Sequence, residues 1–468
     1  MQDGNGVAET EFRGASFGDK RLNRRLETIA AAMEQEPDAS FPSALTPAEL
    51  EAFYRFMSND RVDADGILAP HVRATVERCS HAKTIVSVED TTTFQFQSPR
   101  DGLGAYGDRT FFGHIGLALD TSGAPLGVLG MTTWARKKET PSARRRRGEL
   151  SDIEAGQLPN EQDRWLSLAE RIEREVGDKA DVIHVMDSDG DDYDLLWRLA
   201  DAGRRFVVRG GDDRRLDPIN ESPRKMREAV AACPVTCTRT VRLSRRKKKR
   251  LTGRASRTRD NPRDEREATL SIGATSVRMR APKYLREAPR TLDMNMVCVR
   301  EDNTPEDADP VEWFLLTTEP VDTAEQMLAV VDLYRHRWKI EELFKALKTG
   351  CSYEKRQLGD YRGLVNALAL LLPMAWNLLR LRTLSRLDTA VPASVVLSEA
   401  EIIVLRAFAQ KPLPKKLTVA IAMLAIARMG GHLKGAAGWL TLGRGYLKLL
   451  ERVQGYQLAL TMQTCDQR

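Results

Sequence analysis

The order of short apolar runs between Thr84 and Arg209 constrains this chain most. Thr84–Val88 is an apolar run that ends at Glu89-Asp90. Phe111–Leu119 and Pro125–Trp134 flank the turn signal Asp120-Thr-Ser-Gly123, which predicts an antiparallel hairpin. Trp165–Val176 predicts a helix and Val182–Met186 a strand ending at Asp187. Tyr193–Ala202 predicts a second helix stopped by Gly203, and Arg205–Arg209 a fifth strand. Three strands, helix, strand, helix, strand is the order of a mixed α/β sheet. Asp90 and Asp187 each fall at the C-terminal end of a predicted strand, where ligands collect in open sheets. If those strands are neighbours, the two carboxylates repel unless a cation stands between them. Mg²⁺ suits such a place, because it takes hard oxygen ligands and leaves positions open to phosphate. An Asp at a strand end also serves as a turn or cap residue, and three more carboxylates, Asp189, Asp191 and Asp192, follow Asp187 closely.

The flanks differ in character. Lys20–Met33 places Leu22, Leu26, Ile29, Ala30 and Met33 at helical spacing, with Lys20, Arg21, Arg24 and Arg25 on the other face. A further helix runs from Pro47 to Met57. Two readings stay open for this part, a solvated helical domain or a bundle that aims cations at phosphates. From about Asp212 to Trp313 the patterning turns β-rich, at Val235–Leu243, Ala268–Met279 and Leu292–Val299. Inside it, Arg239–Arg259 holds eleven Lys/Arg and no acid; a second basic run is Arg144–Arg147. Lysine and arginine exceed aspartate and glutamate by only 72 − 66, or +6, so placement matters more than the sum. Thr323–Gly350 predicts one long helix, and Asp360–Arg468 is mostly helical, with Leu364–Leu381 broken at Pro373 and a linker at Lys411–Lys416.

Several classes drop out on this reading. The strongest apolar stretch, Leu364–Leu372, is far short of the ~20 residues of a membrane span. Met1–Arg13 is polar and acidic, unlike a secretory signal or transit peptide. Six cysteines are scattered; the one close pair, Cys233 and Cys237, has no second pair or histidine cluster near it. A zinc site is therefore not expected, and a reducing cytoplasm fits.

The densest signal lies in the predicted long helix. Tyr334, Arg337, Glu341, Lys345 and Lys348 are spaced 3, 4, 4 and 3 apart. At 100° per residue an unbroken helix gathers them within about 80°. Leu333, Ile340, Phe344 and Leu347 form an adjoining apolar stripe. Periodicity leaves two readings, a solvated charged face with a Glu341–Lys345 pair, or one carboxylate set among phosphate-binding cations.

The pattern Tyr-x-x-Arg-x-x-x-Glu-x-x-x-Lys-x-x-Lys resembles the signature of the insertion-sequence-four family of bacterial cut-and-paste transposases. Glu89-Asp90-Thr-Thr92 resembles the family's first catalytic segment. Val182-Ile-His-Val-Met-Asp187, followed by Arg205-Phe-Val-Val-Arg209, resembles the second. Trp313–Pro320, Gly18-Asp-Lys-Arg21, Tyr54-Arg-Phe56 and Ala425–Gly431 extend the likeness over nearly the whole chain in one order. The mixed strand order is likewise what a ribonuclease-H-like (retroviral-integrase-like) core looks like.

The resemblance implies a helical DNA-binding domain at 1–68 and a catalytic domain at 69–360 with its β-rich insertion at about 212–313. A helical dimerisation domain follows at 361–468. Asp90, Asp187 and Glu341 would be the metal triad of a DDE transposase, holding two Mg²⁺ ions, with Mn²⁺ able to substitute. The 154 residues from Asp187 to Glu341 (341 − 187) leave room for the insertion. Tyr334, Arg337, Lys345, Lys348 and Arg209 would contact transposon-end DNA, as would Lys20, Arg21, Arg24 and Arg55. Trp313 and Trp338 match aromatics placed around a flipped base, although core packing is the plainer role for Trp313. Double-stranded DNA and a second copy of the chain would be the partners, in the bacterial cytoplasm at the nucleoid, with no membrane. One departure is Ser188-Asp189-Gly190-Asp191-Asp192, where a relative has Arg-Glu-Ala-Asp. Two rival readings remain: a transposase-derived DNA-binding protein without catalysis, and a ribonuclease-H-like nuclease without strand transfer.

Overall fold

The computed structural model describes residues 6–104, 108–136, 162–217, 223–243, 264–305, 308–387, 390–434 and 437–466. The Arg144–Arg147 run lies outside the described residues, as does Arg239–Arg259 apart from its first part, through Leu243. The chain begins with α1 (Val7–Phe12), α2 (Lys20–Gln35), α3 (Phe41–Ala44), α4 (Pro47–Met57) and α5 (Ala64–Cys79). Strands β1 (Thr84–Gln95), β2 (Thr110–Asp120) and β3 (Pro125–Trp134) follow. Next come α6 (Asp163–Val176), β4 (Asp181–Met186), α7 (Tyr193–Asp201), β5 (Arg205–Arg209) and α8 (Met226–Ala232). The β-rich stretch is β6 (Cys237–Leu243), β7 (Arg266–Arg280), β8 (Thr291–Asp302) and β9 (Glu312–Thr317). The last helices are α9 (Ala324–Arg335), α10 (Trp338–Lys345), α11 (Tyr361–Leu387), α12 (Glu399–Phe408), α13 (Val419–Met429) and α14 (Trp439–Asp466).

These residues form two compact units, one of Met1–Arg144, Leu168–Asp181 and Trp338–Arg468, the other of Arg145–Ser167 and Val182–Arg337.

In the first unit the strand order is β3-β2-β1, antiparallel throughout. The hairpin forms because the Asp120 carboxylate accepts the amides of Ser122 and Ala124, both at 2.9 Å, while Gly123 takes a left-handed φ of 88°. β1 does not stop at Glu89-Asp90 as expected; it continues to Gln95, with Asp90 opposite Ile115 and Thr93 opposite Phe112. The run Thr91-Thr-Thr-Phe94 is β-branched and aromatic, so it extends the strand beyond the acidic pair. Asp90 therefore sits in mid-strand.

α5 carries the helical segment past the expected boundary at residue 68. Asp63 caps it, accepting the Gly66 amide at 2.7 Å, and Pro70 lies inside it. α5 and α11 pack on each other and on β3. Their join is a buried polar cluster. Glu11, from α1, accepts from Arg78 at 2.9 and 3.0 Å and lies 2.6 Å from His71 Nδ1. His71 Nε2 accepts the Val128 amide of β3 at 2.9 Å, so the ring proton sits on Nδ1, toward Glu11. Burial lowers the His71 pKa and keeps the ring neutral. β3 fits closely over α5 only because Gly127 has no side chain; a Cβ there would lie 1.9 Å from Thr75 Oγ1.

α11 is a second departure. It runs unbroken through Pro373, because its residues are buried on every side and packing overrides the local break. It is therefore longer than the apolar stretch expected there. By length and composition it is the one helix among the described residues able to cross a membrane, but 89% of its apolar window is buried in the protein interior, as in the core helix of a globular fold.

In the second unit the strand order is β4-β5-β9-β8-β7-β6. β4 and β5 are parallel, with Met186 opposite Val208; every other pairing is antiparallel. The three β-patterned stretches expected between 212 and 313 all appear as strands, β6, β7 and β8.

Candidate active site

Asp187 leaves the end of β4, as its apolar run predicts, and starts a single 3₁₀ turn. Its carboxylate accepts the Asp189 amide at 2.9 Å. In the parallel register Met186 faces Val208, so Asp187 and Arg209 leave neighbouring strands side by side. Arg337, just beyond α9, brings its guanidinium to 3.9 Å from Asp187. Tyr334, in the last turn of α9, lies beside the Arg209 charge, and its ring meets Trp313 of β9 edge-on at 5.4 Å. Burial raises the Tyr334 pKa, against the pull of the two arginines. One place in the second unit thus gathers Asp187, Arg209, Trp313, Tyr334 and Arg337. Trp313 serves here as a packing partner of Tyr334.

The extra carboxylates separate by role. Asp189 is exposed beside Asp187; partial desolvation and then that neighbouring charge raise its pKa. Asp191 is buried and holds the turn after β5, accepting from the amides of Gly211 and Asp212 at 2.8 and 3.1 Å and from Arg214 at 2.9 Å. Asp192 caps α7 through the amides of Asp194 and Leu195. Sequence reasoning did not place these roles; the Asp191 clamp depends on an arginine 23 residues further on.

The predicted helix Thr323–Gly350 is broken. α9 ends at Arg335, the amides of His336 and Arg337 fold back to Leu333 and Tyr334, and α10 starts at Trp338. Beyond Lys345 a π-type turn, Ala346–Gly350, shifts the phase again. Tyr334 and Arg337 therefore do not share a helix face with Glu341, Lys345 and Lys348. Glu341 lies in the first turn of α10, which packs on β1, the strand of Asp90. The Asp90 carboxylate accepts the Thr91 amide at 2.7 Å. The acidic neighbour of each is engaged elsewhere. Glu89 points to the other face of β1, is buried, and accepts from Ser87 at 3.0 Å. Glu342 is buried against Arg382 and Arg386, at 3.4 and 3.6 Å.

Of the remaining candidates, Lys345 stands over the exposed Trp338 ring at 4.6 Å, a cation–π pair on the surface of α10. Lys348 is turned inward and donates to the Thr93 carbonyl at 2.7 Å. Lys20, Arg21 and Arg24 are exposed along α2, with Arg21 paired to Asp19; Arg55 is exposed on α4 and 3.5 Å from Glu51.

The carboxylate oxygens of Asp90, Asp187 and Glu341 are hard donors, the chemistry a divalent cation such as Mg²⁺ takes. Asp187 and the exposed Asp189 beside it are like charges whose repulsion a cation relieves. Among the described residues, no group of three or more His, Cys, Asp or Glu side chains is gathered as a ready-made metal cage.

Residues 5–62 match the family model described as Transposase DNA-binding. Residues 157–378 match the one described as Transposase DDE domain. The first match contains Lys20, Arg21, Arg24 and Arg55; the second contains Asp187, Arg209, Trp313, Tyr334, Arg337 and Glu341, while Asp90 precedes it. Together the two matches support a DDE transposase that binds DNA.

Proposed function

We propose that this chain is a cut-and-paste transposase of the insertion-sequence-four kind, similar to the transposon-five transposase. It would bind terminal inverted repeats, free the 3′ ends and join them to target DNA. The observation that carries the reading is the cluster around Asp187, in which one carboxylate, two arginines, a buried tyrosine and a tryptophan meet at a strand end. The packing of α10 on β1 supports it, since those elements carry Glu341 and Asp90. On this reading residues 1–68 grip the ends, 69–360 form a ribonuclease-H-like core, and 361–468 join two copies.

Asp90, Asp187 and Glu341 would hold two Mg²⁺ or Mn²⁺ ions. Bound there, the ions stabilise the charge that builds on oxygen in an in-line displacement. Arg209 and Arg337 orient the scissile phosphate by charge-assisted hydrogen bonds. Tyr334, fixed by Arg209 and Trp313, sets the position of Arg337 in the short stretch of chain before Glu341. Lys345 meets the neighbouring phosphate from the surface of α10. Trp338, exposed, offers a face to a flipped base and offsets the few kcal/mol of lost stacking. Hydrolysis frees a 3′-hydroxyl; that hydroxyl attacks the opposite strand to give a hairpin, which is reopened; the 3′-hydroxyl then attacks target DNA.

The test is a pair of assays on the full chain, with DNA carrying the element's own ends. Supercoiled plasmid with Mg²⁺ or Mn²⁺ reads cleavage, and pre-cut ends with free 3′-hydroxyls read joining. Wild type should do both, and Asp90→Asn, Asp187→Asn and Glu341→Gln should do neither while still binding the ends. Cleavage without joining would make the protein a nuclease. Binding without either, in wild type, would make it a DNA-binding derivative.

A further inference from the structure

Cys233 directly follows α8, and Cys298 lies in β8. One residue of β7, Gly273, links their positions, because it is the strand partner of Cys298. A Cβ on Gly273 would lie 1.7 Å from the Pro234 carbonyl oxygen and 3.4 Å from Cys233 Sγ. Only a bare Cα lets the 233–234 segment lie against β7 at this point. The Pro234 carbonyl takes the space that a side chain at position 273 would fill, and the Cys233 sulfur lies against that position, on the side where Cys298 is paired. The two thiols are neighbours, free and buried, and the Cys233 thiol donates to the Pro234 carbonyl at 3.8 Å.

Their surroundings are unequal. Arg300 follows Cys298 by two residues on the same face of β8, and donates to the Cys233 carbonyl at 3.1 Å. The neighbouring Cys298 thiol, against burial and helped by the Arg300 charge, lowers the Cys233 pKa. The Cys233 thiol, with burial, raises that of Cys298. Cys233 is thus the more acidic thiol of the pair. Cys237, close in sequence, belongs to β6 opposite Ile272 and is not the partner.

We propose that Cys233 and Cys298 form a reversible oxidation site that closes to a disulfide under hydrogen peroxide, tying the segment that enters β6 to β8 across β7. The Cys233 sulfur attacks one peroxide oxygen; an S–O bond forms, the O–O bond breaks, and the departing hydroxide takes a proton to leave as water. Cys233 is then a sulfenic acid. The Cys298 sulfur attacks it, an S–S bond forms, and the sulfenic hydroxyl leaves with the Cys298 proton as a second water. In sum, two thiols and one peroxide give one disulfide and two waters.

The test uses the reduced full-length protein, treated with hydrogen peroxide, quenched by alkylation and mapped by peptide mass spectrometry. The expected product is a Cys233–Cys298 linked peptide pair, released by dithiothreitol, with Cys237 and Cys351 still alkylated. Cys298→Ser should leave Cys233 as a sulfenic acid that dimedone captures. Because that substitution is in the core, the mapping of the unaltered protein decides by itself. A Cys233–Cys237 link, over-oxidation without a link, or a Cys233 that stays fully alkylatable would each overturn the proposal.

Discussion

The Glu11 cluster gives the sharpest test of the fold, because it seats the first helix of the DNA-binding segment on α5 and β3. The Glu11 carboxylate is 1% exposed, where burial alone would raise its pKa. The His71 and Arg78 contacts outweigh that and bring it from an ordinary 4.5 to about 2. At about 1.4 kcal/mol for each pH unit, the ionised carboxylate favours the fold by about 3 kcal/mol. Its folded pKa is depressed, so this stability is present above pH 4.5 and is lost as pH falls from there toward 2. Glu11→Gln cannot ionise and leaves the Arg78 guanidinium, 12% exposed, without its anion. Breaking a buried pair in this way costs about 3–5 kcal/mol. Urea unfolding of wild type and Glu11→Gln, run from pH 7 down to pH 3, should show a gap of that order at neutral pH that narrows as the solution is acidified. A gap that stays constant with pH would show that Glu11 contributes shape and no charge. A variant as stable as wild type at pH 7 would show that the cluster does not hold α1 at all.

Three further outcomes follow from the same geometry. Glu342→Gln should lower the melting temperature, by about 3 kcal/mol of stability, and keep cleavage per folded molecule; Glu341→Gln should do the reverse, and a common phenotype would undo the distinction between the two. Alanine at Lys20 and Arg24 should weaken binding to all DNA sequences alike and reduce the salt slope by about 1 for each phosphate that these side chains neutralise, as read by titration between low and moderate salt; an unchanged slope removes α2 from the interface. Burial outweighs the amides of Val7 and Ala8 and pushes the Glu34 carboxyl up to about 7. The stability it gives is full below pH 4.5 and is lost as pH rises through about 7, so Glu34→Gln should flatten that decline in denaturation curves measured from pH 5 to 8; an unaltered decline would place its origin elsewhere.

Local signals were enough wherever one short-range pattern decided the outcome. β5 spans Arg205–Arg209 and α4 spans Pro47–Met57 as their patterns predict, α4 because Thr46 and Glu49 close a capping box. The turn at Asp120–Gly123 was legible for the same reason. β1 was not. Glu89 after an apolar run reads as a strand end, and a buried bond from Ser87 helps a carboxylate pass through the core there. The break between α9 and α10 was equally hidden, since Leu333 to Lys339 contain neither proline nor glycine and the helical period continues across it. That break comes from packing, with Tyr334 drawn onto Trp313 and Arg209 on one side and Ile340 and Phe344 buried with Glu342 on the other.

The same limit governs the acidic positions. Sequence alone offers Asp187, Asp189, Asp191 and Asp192 within six positions, and adjacent pairs at 89–90 and 341–342. Strand alternation separates Glu89 from Asp90, because neighbouring residues of β1 face opposite sides. Helix geometry separates Glu341 from Glu342, since a step of 100° turns one carboxylate toward Arg382 and Arg386 and the other away from them. Capping and clamping roles account for Asp192 and Asp191. Each of these decisions uses a partner at least two residues away in sequence, and several use one more than twenty away. Spacing therefore finds the acidic segments, and tertiary contacts choose the residue within each. Asp189 is the exception that neither resolves: it is exposed beside Asp187 with no anchoring partner comparable to those of Asp191 or Asp192. If Asp187 carries a cation, Asp189→Asn should alter the Mg²⁺ concentration needed for cleavage more than it alters DNA binding. If instead Asp189 only shapes the turn after β4, that requirement should stay where it is and thermal stability alone should change.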